Sequence, residues 1–217
     1  MTKGMLITFE GNEGSGKSTQ IKLLTERLQA AGRQVTSVRE PGGTGLGELL
    51  RDILKNQREG VHIDPIAELL MMNASRAQLV QEVIRPALEQ DEIVLVDRFF
   101  DSTIVYQGHG RGLDPDLVRE VVKVAIGSTL PLQTYLLRVP LETSETRRAQ
   151  RSIETGHARD RFEASERAFF ERIERGYDSI ARREPDRIRV IDATLPIEEV
   201  HAAIWSCFPK PCKPSRG

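Results

Sequence analysis

Short apolar runs along the chain alternate with longer stretches in which apolar residues recur at helical spacing. The runs 5–9 (MLITF), 34–38 (QVTSV), 92–97 (EIVLVD), 133–139 (QTYLLRV) and 187–191 (RIRVI) predict strands. Three of them, 5–9, 92–97 and 133–139, are largely apolar without strict alternation, as expected for strands covered on both faces. Helical patterns fill the intervals. Residues 17–31 run up to Gly32, which suits a helix C-cap. Asp64-Pro65 opens 64–88 and Asp114-Pro115 opens 115–126, each pairing an N-cap aspartate with proline at the first helical position. Phe169, Ile173, Tyr177 and Ile180 mark the apolar stripe of a helix over 163–183. This alternation predicts an α/β fold with a parallel sheet. No internal repeat and no linker divides the chain, so 1–208 reads as one domain. The proline-rich polar stretch 209–217 reads as a frayed tail.

Composition narrows the function classes. The 217 residues are enough for one sizeable core. With 31 Lys and Arg against 32 Asp and Glu the formal charge is −1, which argues against a general nucleic-acid binder. A local cluster of arginines around a small anion is still compatible with that balance. Two cysteines, Cys207 and Cys212, are too few for a disulfide framework, and no histidine pair beside them suggests zinc. No run approaches the roughly 18 consecutive apolar residues of a membrane span. The run MLITF is also too short for a signal-peptide core. A cytoplasmic protein with no membrane partner is expected.

Residues Gly11, Asn12, Glu13, Gly14, Ser15, Gly16, Lys17 and Ser18 spell G-x-x-x-x-G-K-S between an apolar strand and an amphipathic helix. Glycines let successive backbone N–H groups turn toward phosphate oxygens, and the helix dipole adds positive potential there. Lys17 is expected at the β- and γ-phosphates, Ser18 at Mg²⁺, and Thr19 beside them in the ATP site. The motif in this context specifies a nucleoside triphosphate ligand; it does not by itself specify the reaction. The third strand ends in Val94-Leu95-Val96-Asp97-Arg98. An aspartate at that position belongs near the metal, which pairs Asp97 with Ser18. The next residue is an arginine rather than a water-activating acid, which suits a second phosphate. No N-K-x-D sequence occurs to read guanine.

With these residues in place, the chain resembles the bacterial thymidylate kinase family over about residues 5–205. The segment carrying the resemblance most specifically is Arg39-Glu40-Pro41-Gly42-Gly43-Thr44. Asp97-Arg98-Phe99 with Ser102-Thr103-x-x-Tyr106-Gln107-Gly108, Asp160-Arg161-Phe162-Glu163, and Ile191-Asp192-Ala193-Thr194 are similar to three further family segments, in the family's order. The resemblance implies a five-stranded sheet of order 2-3-1-4-5 with helices on both faces, a homodimer, and transfer of a phosphoryl group from MgATP to thymidine monophosphate. It assigns Glu13 to the acceptor 3′-hydroxyl and Arg51 and Arg98 to the acceptor phosphate. Thr103, Tyr106 and Gln107, at i, i+3 and i+4, would line the deoxynucleoside from one helical face, and Glu163 joins the substrate set through its motif. Arg76 would hydrogen-bond a base carbonyl. Met72 shares its face, at a position where the family more often carries phenylalanine; a thioether contacts the ring by dispersion without planar stacking. Arg138 also departs from the family pattern, which more often has aspartate there, and nothing in the sequence accounts for it.

Five arginines (Arg147, Arg148, Arg151, Arg159 and Arg161) crowd 147–161 against Glu154 and Asp160. With Gly156 and little apolar content, the stretch reads as a mobile loop after a helix. The transition state of phosphoryl transfer spreads negative charge that a lid arginine can stabilise. The phosphate loop carries no arginine of its own, so the resemblance assigns that role to Arg147 or Arg151, alongside Lys17 and Arg98. Two other readings stay open on the sequence: a kinase for a different nucleotide or deoxynucleoside, and a nucleotide-binding regulatory module.

Overall fold

The computed structural model describes residues 4–56, 60–155, 161–162 and 165–209, with the side chains of Arg151 and Thr155 outside that description. The centre of the expected lid (156–160, with Arg159 and Asp160), Glu163, and Cys212 with the tail from Lys210 onward also lie outside the described residues.

The chain runs β1 (Met5–Glu10), α1 (Lys17–Ala30), β2 (Val35–Arg39), α2 (Gly45–Lys55) and α3 (Pro65–Leu79). A π-helical stretch, Val80–Ile84, joins α3 to α4 (Arg85–Glu89), and β3 (Ile93–Asp97) follows. Next come α5 (Phe100–Thr103), which passes into a π-helical segment, Ile104–Gly110, and then α6 (Pro115–Ile126) and β4 (Gln133–Arg138). The chain continues through α7 (Leu141–Thr155), α8 (Arg167–Arg183), β5 (Ile188–Asp192) and α9 (Ile197–Ser206). Every strand lies within one residue of its expected bounds. The two Asp-Pro helix starts hold as well: Asp64 accepts from the Ile66 N–H and Asp114 from the Asp116 N–H.

The described strands form one parallel sheet of order β2-β3-β1-β4-β5. Because side chains alternate across a strand, β1 feeds two cores. Ile7 and Phe9 pack with Leu24 and Leu28 of α1 and Ile204 of α9. Leu6 packs on the other face with Leu69 and Leu79 of α3 and Val118 and Val122 of α6. A third cluster gathers the α8 stripe, Phe169, Ile173, Tyr177 and Ile180, against Val105, Tyr106 and Leu136. The sheet order puts the carboxyl ends of β2, β3 and β1 side by side, where open α/β sheets bind ligands. Those three ends lead into the 39–44 loop, the Asp97-Arg98 corner and the phosphate loop.

One expectation is corrected here. Arg147, Arg148 and the backbone through Thr155 are helical rather than part of a loop. No glycine or proline interrupts 141–155, its polar residues are mostly good helix formers, and Gln150 donates to Glu154 one turn on. Charge was the misleading signal; the first helix breaker is Gly156.

Candidate active site

The phosphate loop keeps its shape through glycines at positive φ: Gly11 at 131°, Gly14 at 79° and Gly16 at 91°. A Cβ on Gly11 would stand 2.4 Å from the Leu137 carbonyl oxygen, so that position tolerates no side chain. Lys17 Nζ folds back into the loop and donates to the Gly11 and Asn12 carbonyls at 3.1 and 3.0 Å. Burial, assisted by the Arg98 charge, pushes the Lys17 ammonium down to about 8. Asn12 and Ser15 are buried in the loop wall, and Asn12 Oδ1 and Ser15 Oγ find no hydrogen-bond partner among the described residues. Ser18 Oγ donates to Asp97 Oδ2 at 2.8 Å, so the two expected metal residues meet. A hydroxyl and a carboxylate facing the phosphate loop suit Mg²⁺, which takes few protein oxygens and completes its shell with phosphates and water.

From this loop a cavity of about 550 Å³ runs beneath the 39–41 segment to the α3 and π-helical walls. Glu13, Gly14, Gly16, Lys17, Ser18, Thr19 and Asp97 line its donor end. Arg51, Met72, Arg76, Arg98, Thr103, Tyr106 and Gln107 line the other. Gly11, Asn12 and Ser15 lie behind the lining, while Arg151 and Glu163 fall outside the described side chains. Apart from these five, the structure brings every expected site residue to one cavity, Arg147 included.

Arg98 sits at the β3 corner with φ 67°, a left-handed conformation that costs a non-glycine residue about 1–3 kcal/mol. Its N–H donates to the Phe9 carbonyl at 2.9 Å, tying the corner to β1. Its Nη1 donates to Ser102 Oγ at 3.1 Å and Tyr177 Oη at 3.3 Å, and its guanidinium lies over the Tyr106 ring. Arg51 Nη1 donates to the Pro41 carbonyl at 2.8 Å; the Glu40–Pro41 peptide is cis.

Arg76 is 2 % exposed and heavily committed. Its Nε and Nη2 both reach Glu40 Oε2, at 2.8 and 2.7 Å; Nη1 donates to Asn73 Oδ1 and Nη2 to the Phe99 carbonyl. Three hydrogen bonds and the ion pair to Glu40 thus fix the guanidinium at the cavity wall. Burial pushes the Glu40 carboxyl up to about 7 while Arg76 opposes the shift. On the facing wall, Gln107 Nε2 donates to the buried Glu68 carboxylate at 2.7 Å, which turns the Gln107 amide oxygen away from that bond. Tyr106 is held edge-on between Phe162 and Phe169.

Above the phosphate loop, Arg147 Nη1 donates to the Gly14 carbonyl at 3.3 Å, and both of its terminal nitrogens reach the Ala193 carbonyl at 3.2 Å. Ser144 Oγ donates to the Glu13 carbonyl at 2.6 Å. The first half of α7 therefore clamps the loop through Ser144 and Arg147. Arg138 also finds its explanation: it pairs with Asp178 and Glu174 of α8.

Sequence reasoning assigned no role to Glu10, Ser102, Tyr177 or Glu68. Glu10 is fully buried and accepts from the Phe99 and Ser102 N–H groups, Ser102 Oγ and Tyr177 Oη. Burial and the nearby Asp101 charge push its carboxyl up. Glu68, also buried, gathers Arg111 and Arg161 as well as Gln107, and Arg161 further donates to the Leu54 carbonyl. The available signal was Glu10 itself, an acid at the end of an apolar strand; Tyr177 was hidden inside an apolar stripe.

A parallel sheet whose first strand feeds a phosphate loop, opening on a cavity with arginines at its far end, defines a P-loop kinase with room for two phosphorylated ligands. Comparison with known proteins narrows the class. The family profile described as thymidylate kinase matches residues 9–204. The thymidylate kinase of Syntrophotalea carbinolica is 46% identical over 200 residues, covering 92% of each chain. That of Deinococcus radiodurans is 44% identical over 206 residues, covering 95% of this chain and 97% of its own. The crystal structure of thymidylate kinase from Ehrlichia chaffeensis superposes with a TM-score of 0.75 at 33% identity, covering 95% of this chain and 99% of that one. The chain belongs to the thymidylate kinase family.

Proposed function

We propose that this chain transfers the γ-phosphoryl group of ATP to the 5′-phosphate of thymidine monophosphate, giving the diphosphate for dTTP synthesis. The observation that carries this reading is the single cavity with Lys17 and the phosphate loop at one end and Arg98, Arg51 and Arg76 at the other. A regulatory module has no use for a second arginine-lined end.

The acceptor phosphate is already an anion, so its oxygen attacks the γ-phosphorus in line without a strong general base. One P–O bond forms as the bond to the departing ADP breaks. The work left to the protein is positioning and charge neutralisation. Lys17 and the loop amides hold the donor phosphates; Arg98 and Arg51 hold the acceptor phosphate, the planar fork of Arg98 matching two oxygens. Glu13 faces the acceptor sugar, Tyr106 and Thr103 border the deoxyribose, and Met72, Arg76 and Gln107 surround the base; Glu163 joins the substrate set through its motif. Arg147, with Arg151 one turn on, supplies the charge over the transferring group. Ser18 and Asp97 would hold Mg²⁺, which screens the β- and γ-phosphate charge when bound.

The decisive experiment is a coupled assay of ADP formation across dTMP, dUMP, dCMP, dGMP and AMP. ADP should form only with an added monophosphate and fastest with dTMP. Equal rates across the panel, or ADP formation without an acceptor, would reject the reading.

The same reading includes a homodimer in the cytoplasm. Three helices expose apolar residues at helical spacing: Leu46, Leu49 and Ile53 on α2, Ile66 and Leu70 on α3, and Leu117 and Val124 on α6. Helix α3 packs against both α2 and α6, so these stripes are neighbours that a second copy would cover. Among the described residues no helix is long and apolar enough to cross a membrane.

A further inference from the structure

The Arg98 guanidinium has to present two N–H groups to the acceptor phosphate while remaining fixed itself. A carboxylate placed directly on its fork would fix it, but would occupy the same edge that the phosphate needs and neutralise the charge. The structure solves this differently. Glu10 is 0 % exposed and, among the described residues, makes no hydrogen bond to Arg98. Its Oε2 accepts from Ser102 Oγ at 2.6 Å and from Tyr177 Oη at 2.9 Å. The two hydroxyl oxygens, 3.2 Å apart, both accept from Arg98 Nη1. Both of these bonds leave from the one terminal nitrogen, and Arg98 lines the cavity.

We infer that Tyr177, at the middle of α8, is a positioning residue for acceptor binding: with Ser102 it relays the Glu10 carboxylate to Nη1 of Arg98, leaving the Nε–Nη2 edge for phosphate. This rests on the acceptor-pocket reading above. Both hydroxyls spend their single proton on Glu10, so each can offer only lone pairs to the guanidinium. The direction of every bond in the relay is thereby set. Burial and the Glu10 charge raise the Tyr177 phenol well above its ordinary value, so its proton stays in place. Asp101, the other buried acid at this corner, is held by both terminal nitrogens of Arg187 at 2.7 and 2.8 Å and does not compete for Arg98.

The test is titration calorimetry of dTMP and of thymidine, which lacks the phosphate, against the full-length wild-type chain and Tyr177→Phe. The ring is buried and stays packed in the variant, so only the hydroxyl is lost. A lost hydrogen bond to a charged group predicts about tenfold weaker dTMP binding, with thymidine affinity and the KM for ATP within about twofold of wild type. In an Arg98→Ala background the same substitution should leave dTMP affinity unchanged, because the relay then has nothing to position. Equal weakening of dTMP and thymidine, unchanged dTMP affinity, or full additivity with Arg98→Ala would overturn the inference. If Tyr177→Phe does not fold, Ser102→Ala carries the same ratio and the same background test. Equal affinity of the wild type for dTMP and thymidine would instead reject the acceptor pocket itself.

Discussion

Lys17 shows how one residue carries two demands. Its ammonium must meet donor phosphates, yet it is buried and near Arg98, and both effects favour the neutral amine. Asp97, Glu13 and Glu10 oppose that shift without cancelling it. The group is a cation below about 8 and loses its proton as pH rises through that value. For the free enzyme, kcat/KM for ATP should therefore fall about tenfold per pH unit above that point. The folded chain binds fewer protons than the unfolded one between this value and the ordinary lysine range, so this group alone makes the unliganded protein more stable as pH rises there. A kcat/KM profile that stays flat to pH 9.5 would contradict the assignment. Lys17 was legible because its motif is contiguous. The partners of Arg76 were not: Glu40 lies 36 positions away in sequence and Phe99 lies 23, and only the fold brings them to one guanidinium. The Glu10–Tyr177 pair, 167 positions apart, was beyond reach for the same reason.

At the scale of elements, hydrophobic pattern recovered the strands and the Asp-Pro helix starts, because burial and local capping are both written in neighbouring residues. It failed at α7, whose polar surface carries no apolar stripe to announce a helix. The π-helical stretches Val80–Ile84 and Ile104–Gly110 were also unread, since an extra residue in a turn leaves little trace in composition. The second of these has a consequence: it carries Tyr106 and Gln107 into the cavity wall that Thr103 enters from α5. The helical state of α7 changes what Arg147 does. A helix clamped to the Gly14 and Ala193 carbonyls holds Arg147 at the phosphate loop before any ligand arrives. Arg147→Ala should lower kcat at least tenfold and, by loosening the Gly14 and Ala193 segments, raise the KM for ATP. Steady-state kinetics on Arg147→Ala and Arg151→Ala check this. If both variants keep kcat within twofold of wild type, the helix is not the source of the transition-state charge.

For the whole molecule, the order of the sheet is the feature that turns scattered motifs into a site. Three segments that are far apart in sequence leave β1, β2 and β3 at adjacent carboxyl ends, so the phosphate loop, the 39–44 loop and Arg98 have no other place to go. The parallel class was legible from apolar strands separated by helices, whereas the strand order came from family resemblance and not from any pattern in the chain. Part of the apolar surface left uncovered lies on the α2, α3 and α6 flank. Leu49 is 66 % exposed and Leu70 is 54 % exposed, on helices that pack against each other. A second copy covering this flank would remove both from water. Leu49→Asp together with Leu70→Asp would bury uncompensated carboxylates at such an interface but would cost an isolated subunit little, since both positions face solvent there. Light scattering at micromolar concentration should give a wild-type mass near twice the 24.4 kDa of the chain and a double-variant mass near that of one chain. The melting temperature of the variant should drop only as far as dissociation requires, and the drop should shrink as the wild type is diluted. A wild type that is monomeric at these concentrations, or a double variant that remains dimeric, would mean that this flank meets no second copy.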